Sequence, residues 1–166
     1  MKYAAFVALG VFAVSPAAAF KPADLDKFKS TNECVQCDLR RANLKAGLYQ
    51  KAKLVKSNLR DADLKGANLS GADLTGAQLR RTDLEKTNLQ GALLISADLV
   101  AADLEKSNLR GADLTRADAR DADMDNVNLQ GAKLDKIDLG RADLKRSNLH
   151  GVSLIDAELK GANFER

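Results

Sequence analysis

From Cys37 to Arg166 an apolar residue returns on every fifth position without a break. The series runs Leu39, Leu44, Tyr49, Leu54 and on to Leu159 and Phe164. Of its 26 positions 22 are Leu, and Tyr49, Ala119, Met124 and Phe164 are the exceptions. Two residues before each centre stands a small side chain, Ala in 16 of the 26 units, and the position between is usually Asp or Asn. The two positions after the centre are mostly polar. A period of five fits neither the 3.6 of an α-helix nor the 2 of a strand. Sustained this long, it predicts a solenoid whose units bury their apolar residue only by stacking on neighbours.

A second period sets the coil. Asn68-Leu69-Ser70-Gly71-Ala72 returns at Asn88–Ala92, Asn108–Ala112 and Asn128–Ala132, then as Asn148-Leu149-His150-Gly151-Val152, each 20 residues on. One coil is therefore four pentapeptides, and the cross-section has four sides. Gly at one corner suits a turn that needs φ > 0. The Asp and Asn side chains before the centres can bond nearby backbone. With stacked strands about 4.8 Å apart, six and a half coils predict a rod roughly 30 Å long.

Units such as Ala62-Asp63-Leu64-Lys65-Gly66, Ala67-Asn68-Leu69-Ser70-Gly71 and Ala72-Asp73-Leu74-Thr75-Gly76 carry a pattern A-(D/N)-L-x-x. In this the chain resembles the pentapeptide-repeat family over about four-fifths of its length. The resemblance implies an all-β fold, a right-handed quadrilateral β-helix with Leu and Ala pointing inward. It implies little about activity, because function sits in sites grafted onto folds.

Ahead of the repeats the chain divides in two. Residues 1–19 read as a secretory signal peptide: Lys2, an apolar run from Tyr3 to Val14, then Ser15-Pro16 and an A-x-A site at Ala17-Ala18-Ala19. An uncleaved anchor is the alternative. Cleavage predicts a mature chain from Phe20, exported from a bacterium to the periplasm or beyond, with no membrane contact afterwards. Residues 20–36 read as a cap, with Pro22 at a helix start and Leu25 and Phe28 on one face to cover the first coil. Residues 37–166 form the solenoid.

Cys34 and Cys37 are the only cysteines. Cys37 falls at a small, inward repeat position and Cys34 just outside the repeats. In an oxidising compartment the expectation is a disulfide tying cap to first coil, with a redox or metal role as the alternative. Zinc would need two more ligands, and the one His, His150, lies over five coils away. Some pentapeptide-repeat proteins look similar here, with a helix and C-x-x-C running into C-D-L, which supports a cap.

Sorting outward residues by the 20-residue coil gives four ladders. The first face carries Arg40, Arg60, Arg80 and Arg120, together with Asp38, Asp98, Asp118 and Asp138. It could bind an extended anion, but its charges are mixed. The second carries Asp63, Asp83, Asp103, Asp123 and Asp143 with Glu85, Glu105 and Asp125; the third is the Asn-and-Gly side. On the fourth, Val55, Thr75, Leu93, Ile95, Thr115 and Ile155 make a modest apolar strip, the candidate interaction face.

Net charge is +3, or 25 basic against 23 acidic residues once Lys2 is removed, and the chain has no Trp. Nucleic-acid binding wants a concentrated basic patch or stacking aromatics, so none is expected. Some family members resemble the negative face of DNA and act on gyrase, a role that fits neither this charge nor export. No catalytic residue, metal or cofactor is expected, since the carboxylates repeat as a structural ladder would. The expected function is a non-catalytic scaffold with rigid faces for an unidentified protein partner, with a purely structural envelope protein and, behind it, a DNA-mimicking gyrase-interacting protein as the alternatives. The last repeats lack an obvious cap, and a homodimer through the C-terminal coil is expected.

Overall fold

The structure is a computed structural model that describes residues 20–165; the leader expected over residues 1–19 lies outside them. It is a right-handed quadrilateral β-helix headed by one helix, α1 (Pro22–Thr31). The four sides are rows of single parallel bridges, each joining residues 20 apart. They run Asp38–Asn58–Gln78–Asp98 on the first face, Asn43–Asp63–Asp83–Asp103 on the second and Leu48–Asn68–Asn88–Asn108 on the third. The fourth runs Glu33–Lys53–Asp73–Leu93.

Most pentapeptides dispose of their backbone polar groups in the same way. The Leu39 N–H donates to the Asn58 carbonyl one coil on (2.8 Å), and the Asn58 N–H donates back to the Cys37 carbonyl (2.8 Å). At the corner, Arg41 N–H donates to the Arg60 carbonyl (2.9 Å), while Ala42 N–H closes a turn on the Leu39 carbonyl (3.1 Å). One donor per unit is left, the N–H after the centre. The Asp or Asn two residues back accepts it, as Asp63 Oδ1 does from Lys65 (3.0 Å) and Asn68 Oδ1 from Ser70 (3.1 Å). This explains the Asp/Asn preference at that position, since an unmet backbone donor is costly.

The Leu column and the Ala column before it fill the interior, and from Leu39 to Leu144 both are buried except at Gly47 and Tyr49, which are partly so. Corner residues all take positive φ, whether Gly (Gly71, 66°) or not (Lys51, 56°; Arg116, 60°). Glycine is therefore not required by the turn, contrary to the simplest reading of the Gly corner. The strain of αL in the other residues is offset by the inter-coil bond each corner N–H makes.

α1 begins with Pro22 in its first turn, where the missing N–H is harmless. Phe28 is fully buried and Leu25 partly so, both packed on the core. The Phe28 ring meets Tyr49, the one aromatic in the middle of the Leu series, at 4.8 Å between centroids. Gly47 stands where other units have Ala because a Cβ there would lie 2.2 Å from the Tyr49 ring. Asp24 ties α1 down by accepting the Asp38 N–H (2.8 Å), and Lys21 N–H donates to the Asp38 carbonyl (3.0 Å).

Cys34 and Cys37 are joined as a disulfide with Cα atoms 5.4 Å apart. Cys34 does not lie outside the repeats, as its sequence position suggests. Glu33 bridges Lys53 and the Cys34 N–H donates to the Lys53 carbonyl (2.7 Å), so Cys34 holds the inward centre of a fourth-face unit. The bond thus links two adjacent faces of the first coil under α1. The helix itself is held by Asp24, Lys21 and Phe28.

Candidate functional site

On the fourth face the coil register stacks Val55, Thr75, Ile95 and Thr115 in one column, about 4.8 Å apart, with Leu93 beside Ile95 and 39% exposed. Ile155 stands apart from them, beyond Asp135, and is 65% exposed. The structure adds Val35 at the head of the column. It is 51% exposed, and Gln36 N–H donates to the Val55 carbonyl directly beneath (2.9 Å). The signal for it in the sequence was the 20-residue step back from Val55, hidden because Cys34 does not look like a repeat centre.

Leu93, like Lys53 and Lys133 on the same face, departs from the Asp/Asn rule, and of the three it alone is apolar. Thr75 and Thr115 give their N–H groups to Asp73 and Asp113 (3.0 Å each), but Leu93 offers no acceptor. The Ile95 N–H has no partner among the described residues. A preference for β-branched residues in strands accounts for Ile95. It does not account for Leu93, which replaces a bonded Asp or Asn with an exposed apolar side chain. Along one border of this face runs a bare ridge, Gly71, Gly91, Gly111, Gly131 and Gly151. A Cβ added at Gly91, Gly111 or Gly131 would meet nothing within 4 Å.

The charged faces are compensated in part. On the first, Arg40 grips Asp38 through Nε (2.8 Å) and Nη2 (2.6 Å), and Arg120 grips Asp118 at the same distances. On the second, Glu85 is held by Lys65 and by Lys86 (2.6 Å), which keep its carboxyl down at about 2. Arg146 pairs with Asp125 and Lys145 with Asp143. Asp63, Asp83, Asp103 and Asp123 of the same face have no ion pair among the described residues.

Asp83, Glu85 and Asp103 bring carboxylate oxygens within 4.8 Å of one another, close enough to share a cation. Two ammonium groups already engage Glu85, while Asp83 and Asp103 accept the backbone N–H groups of Glu85 and Glu105. His150 is exposed and its N–H donates to Asn148 Oδ1 (3.1 Å). It borders a cavity of about 740 Å³ at the C-terminal end, lined also by Leu144, Arg146, Leu149 and Phe164. Among the described residues no helix is long and apolar enough to cross a membrane.

Rfr23, a pentapeptide repeat protein from the cyanobacterium Cyanothece 51142, is similar at 27% identity and a TM-score of 0.62, over 86% of this chain and 98% of that one. Alr5209, from Nostoc PCC 7120, is 35% identical with a TM-score of 0.50, over 54% and 74%. A trypsin-treated form of QnrB1, a plasmid-mediated fluoroquinolone resistance protein, shares the fold at 21% identity and a TM-score of 0.58, over 75% and 66%. No curated protein matches the chain. The family profile for pentapeptide repeats matches eight copies across residues 37–166. The chain belongs to the pentapeptide-repeat family.

Proposed function

We propose that this protein is an exported, non-catalytic scaffold that binds a protein partner on its fourth face, around Leu93 and Ile95. One observation carries the reading: at Leu93 the sequence gives up a side-chain acceptor for the Ile95 N–H and places a 39% exposed leucine there instead. An apolar side chain beside an unpaired backbone donor is a contact that water serves poorly and a partner serves well. The stacked coils hold both in a rigid plane, so little ordering entropy opposes docking.

Export is supported by the leader-like composition of residues 1–19 and by a disulfide of the kind that persists in oxidising compartments. Edman sequencing of the periplasmic form should begin at Phe20. Self-association is placed at the C-terminal coil, where Leu159 and Phe164 are 39% and 38% exposed.

A photo-crosslinking residue at Ile95, with a control at Gln90 on the third face, tests the partner site in the exported protein. The expected result is a distinct heavier band from Ile95 alone. Bands from neither position, in a stable exported protein, would favour the structural envelope reading.

A further inference from the structure

Charge along the rod is not spread evenly. The first full coil, residues 37–56, holds Arg40, Arg41, Lys45, Lys51, Lys53 and Lys56 against the single acid Asp38, a net of +5. Residues 57–166 hold 16 basic and 19 acidic residues, a net of −3. A mature chain of net charge +2 thus averages away a strongly dipolar rod. Most cations of the lower coils have carboxylate partners, such as Arg81 with Asp61 and Arg141 with Asp121. In the first coil Lys45, Lys51 and Lys56 are exposed and have no ion pair among the described residues.

These charges form a belt. Arg40, paired with Asp38, lies on the first face, Lys45 on the second, Lys53, paired with Glu33, on the fourth, and Lys51 and Lys56 at the two corners bounding the fourth. At the same level the third face breaks its own pattern. Below, Asn88 bonds Asn68 and Asn108 bonds Asn88 in a side-chain ladder (3.3 Å each), but its top position is Leu48, 76% exposed. A peptide lying on one face would touch a fraction of such a belt. A plane set across the end of the rod comes close to all of it at once. The α1 layer between is about 10 Å thick, near the Debye length of about 8 Å, and its three Lys are balanced by Asp24, Asp26 and Glu33.

We propose that the first coil is a docking belt for an anionic lipid surface. The rod stands N-terminal end down, with α1 and the cations of the first coil towards the phosphate headgroups and the acidic lower coils repelled into solution. Clustered Lys and Arg near a membrane bind by such attraction, and exposed apolar side chains add to it. This revises the expectation of no membrane contact, and it is independent of the fourth-face partner.

The test is co-sedimentation of the purified, disulfide-bonded protein with phosphatidylcholine vesicles, with and without phosphatidylglycerol. Binding is expected only with phosphatidylglycerol and should weaken steeply as salt rises. Triple replacement of Lys45, Lys51 and Lys56 by Glu should weaken it about tenfold or more. The same change at Lys106, Arg116 and Lys136 should weaken it far less. A Lys-to-Gln triple, checked by circular dichroism, serves where charge reversal disturbs folding. Equal binding to both vesicle types, or no loss from either Lys triple, would overturn the proposal. Capture of soluble polyglutamate with no vesicle binding would also overturn it and assign the belt to an acidic protein.

Discussion

At the scale of single residues, the Asp or Asn before each centre is a backbone ligand as much as a surface charge. Restoring one at Leu93 separates stability from function. Leu93→Asn gives the Ile95 N–H an acceptor of the kind Asn68 gives Ser70, and Asn avoids adding charge between Asp73 and Asp113. The variant should be more stable by about 0.5–1 kcal/mol, a typical net hydrogen bond, read as a higher urea midpoint, and should lose the Ile95 crosslink. A variant that is less stable, or that keeps the crosslink, would remove Leu93 from the site. Gly47 makes the opposite case. Ala is the commonest residue at its repeat position, yet Gly47→Ala would push a Cβ into the Tyr49 ring and displace it from Phe28. A loss of about 1–3 kcal/mol is expected, in the range for overpacking a core. At the bare ridge, Gly111→Lys should change stability by no more than about 1–2 kcal/mol, the αL penalty, since Lys51 and Lys56 already hold that backbone. A side chain there should nevertheless hinder any partner that lies flat across the ridge.

At the scale of the element, the ladders make like groups neighbours, and the second face shows the consequence. Burial holds the Asp103 carboxyl above its ordinary 3.8, and Asp83, Asp123 and Glu85 add to the shift against the Glu105 N–H bond. A folded value raised above the unfolded one favours folding below pH 3.8, and that advantage is lost as pH rises through the raised value. Asp103→Asn keeps the acceptor for Glu105 and removes the charge. At neutral pH it should stabilise by a few tenths of a kcal/mol, solvent screening included, and the gain should vanish in denaturation below pH 3.8. Glu85 runs the other way: its stabilising pairs with Lys65 and Lys86 act above pH 4.5 and are lost as pH falls towards 2. The period of five, the four sides, and α1 from Pro22 over the first coil were all legible in the sequence, because each is a spacing of apolar residues or a proline at a helix start. The register of Cys34 was not, because a cysteine at a leucine position breaks the visible pattern while the disulfide to Cys37 fills the same core. On the site, the sequence showed Leu93 and Ile95 as apolar. It could not show that Leu93 leaves a donor unmet, since that depends on which side chain bonds which N–H. The belt at Lys45, Lys51 and Lys56 was masked in the same way: whole-chain charge averages over coils, and ion pairing appears only once Arg81 meets Asp61 and Arg141 meets Asp121.

At the scale of the whole molecule the two ends are unlike. The N-terminal end is closed by α1, with Phe28 buried. At the other, the described chain leaves an open edge: Leu149, Leu154 and Leu159 make none of the coil-to-coil N–H bonds that Leu129, Leu134 and Leu139 make to Asn148, Ser153 and Glu158. Leu159 and Phe164 are part-exposed, and Phe164 lines the 740 Å³ cavity with Leu144 and Leu149. A row of free strand donors beside exposed core side chains is a template for pairing. A second copy can satisfy both needs by meeting the rod end to end about a two-fold axis, which brings the same residues together from each side. Light scattering across a concentration series should therefore show a dimer. Leu159→Lys together with Phe164→Glu should return it to monomer, while leaving the core from Leu39 to Leu144 folded by circular dichroism. Such a dimer would point two basic belts in opposite directions, so one bilayer could engage only one of them, and adding phosphatidylglycerol vesicles should gather vesicles into clusters. The monomeric double variant should bind vesicles as well as the parent and cluster none. A parent protein that is monomeric at every concentration would refute the end-to-end contact and leave the fourth face and the belt to be judged on their own tests.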